Sequence, residues 1–125
     1  MLVQAVAADP SGRARAALRD AAWQLGADLG KQYWAGGAQG DARRLAAESA
    51  LSDHGFEPWH DQHGTVRMRN CPFRHLADLR PEVVCPMNLA LIQGLVAGLG
   101  ADSLNPVLDP KPEHCCVAIT AASPS

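Results

Sequence analysis

Aromatic residues make up only 5% of this chain, and neither sign of charge dominates, with 11 Lys and Arg against 13 Asp and Glu and a formal net charge of -2. The arginines are spread along the sequence and form no basic stripe, which excludes the usual electrostatic footprint of a nucleic-acid-binding surface. A Cys-x-x-Cys pair is missing, so this is no zinc ribbon. There is no Ser-His-Asp arrangement, no paired-carboxylate site and no phosphate-cradling glycine loop. The glycines of "GLVAGLG" close a helix instead of opening one. An enzyme is therefore not expected. The opening "MLVQAVAADPSG" lacks the basic and apolar regions of a signal peptide, which leads to the expectation of a cytoplasmic protein. Uninterrupted apolar runs are lacking as well. The most apolar stretch, "VVCPMNLALIQGLVAGLGA", is broken by Asn88, Gln93 and three glycines, and reads as a buried core helix, not a membrane span.

What is present suits one folded domain. The chain has 125 residues, 47% of them hydrophobic and 19% charged, enough to bury a core without disulfides. The pattern predicts a long helix from "DPSGRARAALRDAAWQLGADLGKQYW", with Asp9 before Pro10 as its start and Leu18, Ala21, Leu25 and Leu29 along one face. The glycines of "WAGGAQGD" break it. A second helix follows Asp41 and runs to about Leu51, with Gly55 near its end. "GFEPWHDQHGTVRMRN" reads as a hairpin turning at "DQHG", with Val66 and Met68 on one face and Arg67 and Arg69 on the other. Pro58 directs the first arm to a sheet edge. "CPFRHLADL" is a short helix and "CPMNLALIQGLVAGLG" a longer one, stopped at Gly100. Strands are expected at Leu104 to Leu108 and at His114 to Ala121. The expected fold class is α+β: two helices, a hairpin, two helices and two C-terminal strands in a small antiparallel sheet. Residues 1–40 form the long helix region, a candidate dimerisation element. Residues 41–121 form the cysteine-containing core, and 122–125 are a tail. Trp23, Trp34 and Trp59 read as core or interface anchors.

Four cysteines in a reducing compartment point to metal or redox chemistry. Two of them precede prolines, in "NCPFRH" and "VVCPMN". Proline is favoured at the first position of a helix, which places Cys71 and Cys85 at expected helix N-termini. Free backbone N–H groups and the helix dipole there lower a thiol pKa and prepare it for a metal. Cys115 and Cys116 are adjacent on a strand and should point to opposite faces. Cys115 lies in phase with Val117 and Ile119, on the apolar side, and is favoured as the inward one. His75, one turn after Cys71, is a candidate fourth ligand, and His114 is another. His54, His60 and His63 read as loop and turn residues.

The segment "DHGFEPW…GTVRMRNCPFRHLADLRPEVVCPMNLALIQGLVAGLG" followed by "PEHCCVAI" resembles the C-terminal sensor half of SufR-like bacterial transcriptional regulators of the ArsR/DeoR winged-helix type. The similarity covers about residues 42–121 and, more loosely, the first helix. In such regulators three cysteines at similar spacing hold a [4Fe-4S] cluster and a non-cysteine group completes the site. Carried over by position, those ligands are Cys71, Cys85 and one of Cys115 and Cys116. The resemblance also implies a homodimer that meets DNA only through a winged-helix domain, which residues 1–40 are too short to supply. Other readings of the same residues are a mononuclear zinc site with His75 or His114, haem held by a Cys or His, a thiol enzyme or redox switch built on Cys71, and a dimerisation domain without a cofactor.

Overall fold

A computed structural model describes residues 11–33, 41–101, 104–109 and 115–121. Its elements follow in the order α1 (Arg13–Tyr33), α2 (Asp41–Asp53), β1 (Pro58–His60), β2 (Val66–Met68), α3 (Arg74–Leu79), α4 (Pro81–Leu99), β3 (Leu104–Leu108) and β4 (Val117–Ala121). The protein is α+β, with a four-stranded antiparallel sheet in the order β1-β2-β4-β3. The C-terminal strand β4 therefore lies inside the sheet, between the hairpin and β3. Both edge strands carry a proline, Pro58 in β1 and Pro106 in β3, where a missing N–H does least harm to the ladder.

The core forms where one face of the sheet meets α4 and α2. Val66, Met68, Val117 and Ile119 join Leu51, Phe56, Ile92, Leu95 and Leu99 there, all buried. Cys71 and Cys115 belong to the same cluster. Gly100, left-handed at φ 65°, stops α4 as expected, and the Ala101 N–H returns to the Val96 carbonyl at 3.1 Å.

Helix α1 packs differently from its expected leucine face. Leu25 is 57% exposed, and the buried positions are Ala22, Gly26, Ala27 and Gly30. The reason is backbone contact with α4. A Cβ added at Gly26 would stand 1.9 Å from the Leu91 carbonyl oxygen, and one at Gly30 2.4 Å from that of Leu95. From the other side, a Cβ at Gly94 would stand 2.0 Å from the Trp23 oxygen and one at Gly98 2.2 Å from that of Ala27. The partners advance together in number, so the two helices run in the same direction. Small residues let the axes approach closely, and larger apolar side chains are displaced to the flanks. Asp9, Pro10 and Trp34 lie outside the described residues.

The two Cys-Pro dipeptides do different work from the one expected of them. Helix α3 begins only at Arg74, with Phe73 as its N-cap. Cys71 instead opens a turn: its carbonyl accepts the Arg74 N–H at 2.9 Å, and Pro72 supplies the φ that the second turn position requires. Helix α4 begins at Pro81, and Pro86 lies inside it, so Cys85 sits past the first turn and not at the N-terminus. Pro81 takes the proline-favoured start. Pro86 lies beyond the first turn and removes the hydrogen bond that the Glu82 carbonyl would otherwise accept.

Candidate metal centre

Three distant segments converge on one buried spot. The turn after β2 brings Cys71, the start of the final segment brings Cys115, and the middle of α4 brings Asn88. Cys115 is fixed beside the sheet by its N–H, which donates to the Met68 carbonyl at 3.0 Å. The turn carrying Cys71 is tied to the end of α2 through Asn70, whose side-chain amide donates to the Gly55 carbonyl at 2.7 Å. Asn88 is the buried polar residue of the core, at 0% exposure.

The donors around the two sulfurs are the informative feature. The side-chain amide nitrogen of Asn88 donates to Cys115 Sγ at 3.2 Å and to Cys71 Sγ at 3.7 Å. The backbone amides of Phe73 and Val117 act on Cys71 and Cys115 in the same sense, each favouring the charged sulfur. One buried amide nitrogen therefore points at two sulfurs. A neutral thiol is a weak acceptor, whereas a thiolate or metal-bound sulfur carries the charge that such donors stabilise.

The neighbouring Cys115 thiol, followed by burial, pushes the Cys71 thiol far above its ordinary range, against the smaller opposing effects of the Phe73 amide and Arg74. Cys115 is pushed up to about 11, chiefly by its bond to the Cys116 side chain and by burial, while the bond to Cys71 and the Val117 amide act in the opposite direction. Burial keeps both sulfurs neutral, because the Arg74 charge opposes it only weakly. A bound cation supplies the missing charge and deprotonates coordinating thiols.

The remaining sequence-derived candidates lie around this pair. Cys116 is partly buried and touches Cys115. Cys85 is partly buried on α4, three residues before Asn88, and so on the neighbouring part of the same helix side. His75 is exposed on α3, and His114 lies outside the described residues. All four cysteines are free thiols, and among the described residues no three His, Cys, Asp or Glu side chains are spaced to hold a single metal ion. The donor chemistry fits a thiolate-held centre. In such a centre a third ligand, from Cys85 or Cys116, would have to close in on the pair.

Asn88 was legible in the sequence only as an interruption of an apolar run. Its signal is a polar residue on the buried side of a helix, one turn after a cysteine. Its carboxamide oxygen has no hydrogen-bond partner among the described residues, a burial cost of about 1–3 kcal/mol that an aliphatic residue would not carry. A separate apolar cavity of about 340 Å³ lies between α1, α2 and α4, bordered by Leu29, His54, Phe73 and Leu91 but by no cysteine. Helix α4 is long and apolar enough to cross a membrane by length and composition, yet half of that window is buried inside the fold. No protein-family model, curated protein or solved structure matches this chain.

Proposed function

We propose that this chain is the sensor domain of a transcriptional regulator and binds a metal centre, a [4Fe-4S] cluster, through Cys71, Cys115 and a third thiolate from Cys85 or Cys116. The observation that carries this reading is the single buried amide nitrogen of Asn88 that donates to two buried sulfurs. Such donors favour sulfur that bears charge, and hydrogen bonds to sulfur are among the means by which a protein tunes an iron–sulfur centre. When bound, such a cluster supplies one-electron redox chemistry and sensitivity to oxidants. The protein's own part is to hold the turn at Cys71 against the segment entering β4, with α4 behind both. Loss of that tie would free the turn and the terminal strand, an order-to-disorder switch that acts on a dimer or an attached DNA-binding domain. The reading places the protein in the reducing cytoplasm, as a homodimer that would reach DNA only through a winged-helix domain absent from this sequence.

A single zinc ion is the second reading, and one observation favours it. One Asn88 nitrogen reaches both Cys71 and Cys115, which sets the two sulfurs close together, as two ligands of one tetrahedral ion would be, whereas a cluster requires them to part. Anaerobic purification with a visible spectrum and iron, sulfide and zinc analysis decides between them. Matching iron and sulfide with a broad band near 400 nm (roughly where such clusters absorb) supports the cluster. About one equivalent of zinc in colourless protein supports the second reading. In either case Cys71→Ser and Cys115→Ser should abolish binding, and wild-type metal content in both variants would sink the site.

A further inference from the structure

We infer that Asn88 is the positioning residue of this centre, its one carboxamide nitrogen donating to both Cys71 and Cys115 and so holding the two sulfurs in register for a shared metal. The inference rests on the metal-centre reading above. Three observations carry it. The nitrogen reaches both sulfurs, at 3.2 and 3.7 Å, although the cysteines lie on segments far apart in sequence. Asn88 is fully buried on the helix that backs the site. Its oxygen is left without a partner among the described residues, so the side chain satisfies the sulfurs at the expense of its own acceptor.

A residue retained for packing alone would be aliphatic at this position, because the surrounding core is apolar and leucine has the same branching as asparagine. The amide is instead suited to withdrawing charge from two thiolates at once. A carboxylate in its place would remove both N–H donors and set a negative charge against two negatively charged sulfurs.

The test compares wild type, Asn88→Leu and Asn88→Asp, each reconstituted anaerobically with ferrous iron and sulfide and, in parallel, titrated with Co(II) as reduced apo-protein. Both variants should bind about 10–100-fold more weakly than wild type, the usual cost of removing a hydrogen-bond partner of a metal ligand. The sulfur-to-metal charge-transfer band of Asn88→Leu should move to lower energy, as thiolates without donors give up charge more readily. The apo form of Asn88→Leu should unfold at a denaturant concentration no lower than wild type, which separates this role from a structural one. Unchanged affinity and an unshifted band in Asn88→Leu would overturn the inference. So would tighter binding by Asn88→Asp, because it would mean that the oxygen ligates the metal directly. If wild type takes up neither iron–sulfide nor Co(II), the metal-centre reading fails first and this inference with it.

Discussion

Cys71 and Cys115 are held neutral by burial and by contact with other thiols, while Cys85 and Cys116 retain partial access to solvent. The metal-free protein should therefore show two classes of cysteine. Alkylation at neutral pH followed by peptide mass mapping should label Cys85 and Cys116 first, because the thiolate is the reactive species and both buried thiols ionise with difficulty. Rapid labelling of Cys71 would show that the pair is not formed. The same shifts make the apo-protein sensitive to alkali. A thiol whose pKa is raised on folding keeps its proton longer in the folded state than in the unfolded one. The stabilisation is thus complete below the ordinary value of 9.0 and is lost as pH rises towards the folded value, about 11 for Cys115. Urea midpoints of reduced apo-protein should fall as pH rises above about 9, and Cys115→Ala should weaken that dependence.

At the scale of elements, the α1–α4 contact is the most demanding. Four glycines bring two backbones together, and a single methyl at any of them meets a carbonyl oxygen at 1.9 to 2.4 Å. No rotamer change can relieve a clash with backbone, so the helices must part. Gly26→Ala and Gly94→Ala should each cost about 3 kcal/mol or more, read as a fall in melting temperature of roughly 10 °C or more. A change of only a degree or two in both would show that the helices are not packed at this spacing. Asn88 is on the same helix as Gly94, so separation of α1 and α4 should also loosen the thiol pair. The short strands were easier to foresee. Val66 and Met68 alternate with Arg67, and the apolar pair faces the core as the period of two requires.

Across the whole molecule, Arg67 links parts that the core does not. It pairs with Asp61 in the hairpin turn at 3.0 Å and with Asp109, just past β3, at 2.9 Å. Asp109 in turn donates its N–H to the Cys116 carbonyl at 2.7 Å. The hairpin, the end of β3 and the cysteine segment are thereby joined across the sheet. Burial pushes the Asp61 carboxyl up, but bonds from the His63 and Thr65 amides and from Arg67 outweigh it and hold the carboxyl below its ordinary 3.8. The folded state then binds fewer protons than the unfolded state, so this stabilisation is present above 3.8 and is lost as pH falls below it. Denaturation midpoints should drop on acidification below that value, and Asp61→Asn should flatten the drop. An unchanged acid profile in Asp61→Asn would show that the clamp does not contribute.

The order of elements, the α+β class, the edge position of Pro58, the stop at Gly100 and the inward place of Cys115 were determined by the sequence alone. Each depends on local chemistry: a period of two or of about 3.6, a missing proline N–H, or a glycine free to adopt positive φ. The packing face of α1 and the core of the site were decided only by tertiary structure. Leu25 looked like a core residue because hydrophobicity is visible in one helix, whereas the need for Gly26 and Gly30 arises only when a second backbone lies against them. Cys85 appeared equivalent to Cys71 because both precede proline, yet one proline makes a turn and the other sits inside a helix. Asn88 meets Cys71 and Cys115 across three segments, and hydrogen bonds between such distant residues leave no spacing along the chain by which they can be recognised.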